Sequence, residues 1–96
     1  ITAHLNAHDH QVERRNEDAW NILNSLTFQN PFFHNVEISQ SHYCFFLGDL
    51  NYRVTETLED TLKYIEKNDW EALTNKEQLK VELEKGNCFV NFLEEK

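Results

Sequence analysis

Glycine and proline are almost missing from this sequence, with two Gly and one Pro in 96 residues. So few leave little room for flexible linker, and neither an internal repeat nor a low-complexity tract is visible. Cations are scarce as well: nine Lys and Arg stand against seventeen Asp and Glu, for a net charge of −8. That balance argues against a nucleic-acid-coating domain, which would carry a basic face, and against a polybasic membrane anchor in this stretch. It leaves phosphate binding open, because a metal and a few placed cations can achieve that locally. No apolar run reaches the length a membrane-spanning helix needs. Cysteine is limited to Cys44 and Cys88, each in an apolar neighbourhood. The expectation is two reduced, buried thiols rather than a disulfide, since no secretory signal accompanies them.

What is present suffices for one small domain at most, with a modest core and marginal stability alone. The first residue is Ile1 rather than Met, which suggests a cut or processed piece. Ile1 to Leu5 reads as the end of a strand, short, β-branched and largely apolar, and Asn6 to His10 as the loop at its C-terminal end. Gln11 to Leu26 reads as a helix, because Val12, Ala19, Ile22, Leu23 and Leu26 fall on one apolar stripe. Asp9 is placed to cap it, and Trp20 flanks the stripe, half-buried. Thr27 to Gln40, with Asn30-Pro31 and no steady period, reads as a loop.

Ser41 to Gly48 holds Tyr43, Cys44, Phe45, Phe46 and Leu47 in succession. Such a run predicts a strand buried on both faces, as in the centre of a layered α/β structure. Three helical pieces follow. Thr57 with Asp60 forms a cap signal before a Leu58, Leu62, Ile65 stripe. Asp69 to Leu73 is a short turn carrying Trp70. Asn75 with Gln78 caps a third piece whose inner face is Leu79 and Leu83, and Gly86 ends it. Cys88 to Leu93 reads as a short strand or extended segment.

Polar residues at the end of a buried strand are a common place for chemistry, and Gly48 is followed by Asp49, Leu50, Asn51, Tyr52 and Arg53. In an extended segment Asp49 and Asn51 point the same way. Alone, however, Asp-Leu-Asn is more simply a turn. His4, His8 and His10 lack a partnered Cys or a second cluster at structural-zinc spacing. His10, His34 and His42 read as surface or core residues. Arg14 and Arg15, with acidic neighbours, read as a solvated or salt-bridged helix face. Trp20, Trp70 and the Phe residues read as core, and Glu82 to Glu84 as solvent-facing.

Three stretches together carry a resemblance. His4-Leu5-Asn6-Ala7-His8 runs into Glu13-Arg14-Arg15-Asn16 and Asp18. Phe46-Leu47-Gly48-Asp49-Leu50-Asn51-Tyr52-Arg53 follows the central strand. Glu77-Gln78-Leu79 precedes Gly86, Phe89, Phe92 and Glu94. In order and spacing they resemble the inositol polyphosphate 5-phosphatases over nearly the whole chain. Asn6, where a small residue is usual, and Glu77, where Asp is commoner, depart from the pattern without touching the core chemistry.

The resemblance implies an α/β fold, the middle portion of a four-layer DNase I-like sandwich, with residues 1–96 an internal piece of the catalytic domain. It implies a Mg²⁺-dependent phosphatase acting on a phosphoinositide lipid or an inositol polyphosphate, with no nucleic acid as partner. The setting would be cytoplasmic and peripheral at membranes. On this reading His4, Asp49 and Asn51 are catalytic. Asp49 orients or deprotonates the attacking water, Asn51 donates to a phosphoryl oxygen or fixes the water, and His4 donates to the scissile phosphate. His8 and Arg53 are candidate substrate contacts, Arg53 alternatively pairing with a carboxylate that holds the site together. The magnesium-binding Glu is expected outside this chain, with an Asp-His pair and the segment that grips the 4-phosphate. The chain alone would then be inactive. The competing readings are a metal-dependent nuclease of the same superfamily and a non-catalytic interaction domain retaining the fold.

Overall fold

The computed structural model describes residues 1–29, 31–32 and 35–94. Its elements are β1 (Thr2–His4), α1 (Val12–Ser25), β2 (Thr27–Phe28), β3 (Val36–Glu37), a 3₁₀ turn (Ile38–Gln40), β4 (Leu47–Asp49), α2 (Leu58–Glu66), α3 (Trp70–Thr74) and α4 (Gln78–Lys85). β1 and β4 pair in parallel, with Thr2 opposite Leu47, Ala3 opposite Gly48 and His4 opposite Asp49. A parallel pair needs a long crossover between its strands, and residues 5–46, with α1 and the β2–β3 ribbon, supply it.

The expected loop at Thr27 to Gln40 is replaced at its two ends by that antiparallel ribbon, Thr27 opposite Glu37 and Phe28 opposite Val36, and by the 3₁₀ turn. β-branched Thr27 and Val36 favour the pairing. His34 lies outside the described residues.

The long buried strand read at Ser41 to Gly48 shrinks to three residues, and Gly48 sits inside it rather than ending it. Tyr43, Phe45 and Leu47 are exposed, while Cys44 and Phe46 turn inward. One face is covered and the other bare. Gly48 is required at its position: its φ is +131°, and a Cβ there would lie 2.0 Å from the Ala3 carbonyl oxygen.

The core is Leu5, Ala19, Cys88 and Phe89, with Ile22, Leu23, Phe46, Leu79, Leu83 and Phe92 packed against it. Phe89 meets Phe46 and Phe92 edge-on. Both cysteines are free, Cys88 buried and Cys44 half-buried. Segment 88–93 is irregular rather than extended, since Phe89 and Asn91 both take positive φ, which a strand does not allow. Trp20, Trp70, Phe28, Phe32 and Phe45 are exposed rather than core, and so is the apolar stripe of α2 at Leu58, Leu62 and Ile65.

Caps set the short helices. The Thr57 hydroxyl accepts from the Asp60 N–H at 3.2 Å, as its sequence signal predicts. The Asp69 carboxylate accepts from the Ala72 N–H at 3.1 Å. For α4 the cap is Glu77 rather than Asn75, accepting from the N–H groups of Leu79 and Lys80 at 2.8 Å each. A carboxylate is the better cap there because it also meets the positive end of the helix dipole. Asn75 instead closes α3 and accepts from Lys80 Nζ. Gly86 ends α4 in the left-handed conformation, φ 72°. Asp9 does not cap α1, whose N-cap is Gln11 without a side-chain bond; the Asp9 carboxylate is drawn to Arg53 instead.

Candidate active site

His4 ends β1 and Asp49 ends β4, and the register sets them side by side. Partners in a parallel pair share a face of the sheet. His4 Nε2 lies 3.6 Å from Asp49 Oδ2, and both side chains are open to solvent. Two residues 45 apart in the sequence are thereby brought to one point, at the C-terminal edge of the strands. Open α/β sheets place their ligands outside this edge.

Asn51 reaches the same point by a different route from the one its spacing suggested. It is not extended: φ is 59°, in the left-handed region that Asn tolerates better than most residues. The segment closes as an Asx turn, with Asn51 N–H donating to Asp49 Oδ1 at 3.1 Å. This fixes the Asp49 carboxylate by one oxygen while the other faces His4. The Asn51 amide donates to the Leu5 carbonyl at 2.9 Å, tying the end of β4 to the end of β1. Its oxygen accepts from the Arg53 guanidinium at 3.3 Å.

Arg53 takes the carboxylate-pairing role, 3.6 Å from Asp9, and also donates to the Asn51 carbonyl. His8 is exposed with φ 78°, its ring stacked on that of His10 at 6.2 Å. His42 is likewise exposed.

Sequence reasoning missed the floor of the site. Arg15, read as a surface residue, is fully buried, whereas Arg14 does lie outside, paired with Glu17 and Asp18. The Arg15 guanidinium donates to the carbonyls of Asn6, His8 and Asp9 and to Gln78 Oε1, and lies over the Tyr52 ring, 5.3 Å from its centre. The signal was present: Arg15 stands three residues after Val12 and four before Ala19, on the stripe itself. Glu82, read as solvent-facing, is buried against Asn16 and Asn87. Asn16 in turn accepts from the Tyr52 hydroxyl at 2.6 Å. Burial pushes the Tyr52 phenol well above its ordinary 10.0 and the Cys88 thiol above its ordinary 9.0, so both remain neutral.

Magnesium prefers several oxygen ligands. Among the described residues no three His, Cys, Asp or Glu side chains group closely enough to hold a metal. Asp49 offers a carboxylate edge, but these residues do not make a magnesium cage by themselves. An apolar cavity of about 410 Å³ lies between β4, α4 and residues 89–94, and His4 does not line it.

A family model described as Endonuclease/Exonuclease/phosphatase family 2 matches residues 1–96. The chain is 31% identical over 96 residues to phosphatidylinositol 3,4,5-trisphosphate 5-phosphatase 2A of Danio rerio, covering 99% of the chain and 8% of that protein. It is 35% identical over 97 residues to synaptojanin-2 of Homo sapiens, covering 98% and 6%. Among solved structures it resembles the inositol polyphosphate 5-phosphatase domain of SPsynaptojanin in complex with inositol (1,4)-bisphosphate and calcium ion. The TM-score is 0.83 at 27% identity, over 92% of this chain and 25% of that one. The chain thus spans a quarter of the solved domain and less than a tenth of these two curated relatives. The α/β fold read from the sequence is borne out as a portion of a DNase I-like domain.

Proposed function

The chain belongs to Endonuclease/Exonuclease/phosphatase family 2, and from that premise we propose that the protein containing it is a phosphomonoesterase releasing the 5-phosphate of phosphoinositide lipids, soluble inositol polyphosphates, or both. Residues 1–96 are an internal part of its catalytic domain. The observation that carries this is the register pairing of His4 with Asp49. It joins the two motifs that resemble the 5-phosphatases at one solvent-open point at the C-terminal edge of the β1–β4 pair. Relatives named as 5-phosphatases, and a structural neighbour holding an inositol bisphosphate, support the substrate class.

In the proposed reaction water attacks the 5-phosphorus, the bond from phosphorus to the inositol oxygen breaks, and that oxygen leaves with a proton. Asp49, held by the Asn51 N–H, accepts the proton of the attacking water. His4 donates a hydrogen bond to a phosphoryl oxygen, a charge-assisted bond when the ring is protonated. Asn51 keeps a second amide hydrogen beyond the one given to Leu5, directed to the water or a phosphoryl oxygen. His8 contacts substrate from the loop, and Arg53 braces the site through Asp9 and Asn51. Mg²⁺, which a Glu outside these 96 residues would hold, would supply charge neutralisation on the phosphate. The protein acts in the cytoplasm at membrane surfaces, and this chain alone is inactive.

The test is phosphate release from a 5-phosphorylated inositol lipid and from a soluble inositol polyphosphate by the full-length protein, run beside plasmid nicking. Release without nicking is expected. Nicking without release would favour the nuclease, and neither would favour a non-catalytic domain.

A further inference from the structure

The Arg-Arg-Asn helix and the Glu-Gln-Leu segment take no part in the chemistry above, yet the fold joins them. Arg15 and Gln78 are 63 residues apart, both buried, with the guanidinium donating to Gln78 Oε1 at 2.6 Å. Together they reach the two loops that follow the strands ending in His4 and Asp49. Arg15 gathers the carbonyls of Asn6 at 3.2 Å and His8 at 2.6 Å, in the loop after β1. Gln78 Nε2 donates to the Asp9 carbonyl at 3.2 Å, in the same loop. On the other side, Gln78 Oε1 also accepts from the Arg53 N–H at 2.9 Å, and the Gln78 N–H donates to the Arg53 carbonyl at 2.9 Å. Arg53 lies two residues beyond Asn51, in the loop after β4.

We propose that Arg15 and Gln78 are positioning residues for phosphate-ester hydrolysis: one buried unit that fixes the β1 loop against the β4 loop and so sets His4, Asp49 and Asn51 relative to one another. The inference rests on the function proposed above. The physical case is the chemistry of the partners. A buried guanidinium is costly unless its donors are used; the two Nη groups of Arg15 go to main-chain carbonyls and one amide, while its buried Nε has no partner among the described residues. Neutral carbonyls do not neutralise it as a carboxylate would, so what the arrangement gains is geometric. Gln suits the hub because its amide both accepts and donates: the oxygen takes Arg15 and Arg53 while the nitrogen reaches Asp9. Lys at position 15 keeps the charge but not the fork.

The experiment uses the full-length protein, with Gln78→Leu, Arg15→Met, Arg15→Lys and the Gln78→Leu/Arg15→Met double variant. Asp49→Ala serves as the reference for lost chemistry. Turnover is counted per folded molecule, and amide exchange is followed at residues 6–9 and 49–53. Each disruptive single variant is expected to lower kcat about 10–100-fold, the loss typical when residues that orient metal ligands are removed, with KM changed less than about threefold. The double variant should be no worse than the worse single, because the two act as a unit. Arg15→Lys should recover part of the loss. Exchange should quicken in both loops together. Normal kcat in the folded variants, multiplicative losses in the double variant, or a loss that tracks only the unfolded fraction would overturn the inference. If the wild type shows no phosphatase turnover, or Asp49→Ala keeps it, the proposed function fails. The positioning unit is then judged by exchange alone, and unchanged exchange in Gln78→Leu sinks it.

Discussion

His4 and Asp49 face each other across a parallel pair of three-residue strands, with His4 Nε2 3.6 Å from Asp49 Oδ2. Their proximity comes from the sheet register, whereas His10 leaves the strand and lies in the following loop. His4→Ala in the full-length protein is therefore expected to lower kcat by about 10²-fold or more, in line with loss of a positioned polar group. His10→Ala, six residues away, should stay within about threefold of wild type. Steady-state phosphate release checks both, and equal defects would mean that register does not select the catalytic histidine.

Gly48→Ala should be one of the most damaging single changes in the chain. The added methyl would meet the Ala3 carbonyl oxygen at 2.0 Å, and φ of +131° is strained for any residue with a Cβ. Strained backbone alone costs about 1–3 kcal/mol, and β1 must also move away from β4. Denaturant unfolding of the full-length protein should show a loss of at least about 2 kcal/mol together with lost turnover. Unchanged stability would mean that the β1–β4 contact is not as close as described.

Made alone, the 96-residue chain is expected not to fold cooperatively. Tyr43, Phe45, Leu47, Leu58 and Leu62 are half or more exposed, and among the described residues each sheet has two strands. Its radius of gyration is 16.3 Å, against about 13 Å for a compact domain of this size. Unpaired strand edges and bare apolar faces favour aggregation. A sharp, reversible thermal transition from a soluble monomer, followed by circular dichroism, would contradict this.

Stability should fall on the alkaline side. The Cys88 thiol and the Tyr52 phenol are raised above 9.0 and 10.0 by burial. A raised acid keeps its proton in the folded state, so its contribution is complete below the unfolded value and is lost as pH rises towards the folded one. Urea unfolding of the full-length protein should show lower stability at about pH 10.5 than at about pH 8, and Tyr52→Phe should flatten the difference. An unaltered pH slope in Tyr52→Phe would remove the phenol from this account.

The sequence was readable where local chemistry decides structure. The α1 stripe, the Thr57 cap and the Gly86 stop needed only neighbours a few residues away. Reading failed where distant partners decide. Arg15 looks like any surface arginine until Gln78 and three loop carbonyls are brought to it. Glu82 needed Asn16 and Asn87. Strand alternation puts Asn51 beside Asp49, but an Asx turn and a left-handed backbone bring it there instead. The apolar character of the Ser41 to Gly48 run predicts burial on both faces, while its odd positions 43, 45 and 47 stay bare. The candidate site residues themselves came from a motif resemblance. What the structure adds is that their segments meet.

The central claim is that Asp49 acts on the water and on charge developing in the transition state. The most direct measurement is kcat and KM for phosphate release from a 5-phosphorylated inositol lipid, comparing the full-length wild type, Asp49→Ala and Asn51→Ala. The assay is run with magnesium and with chelator, and folding is checked by circular dichroism. Loss of a transition-state interaction falls on kcat rather than KM. Asp49→Ala should therefore lower kcat by about 10²–10⁴-fold or more with KM nearly unchanged. Asn51→Ala should show a smaller defect of the same kind, and activity should vanish with chelator and return with magnesium. A folded Asp49→Ala protein with near-normal kcat would contradict the account.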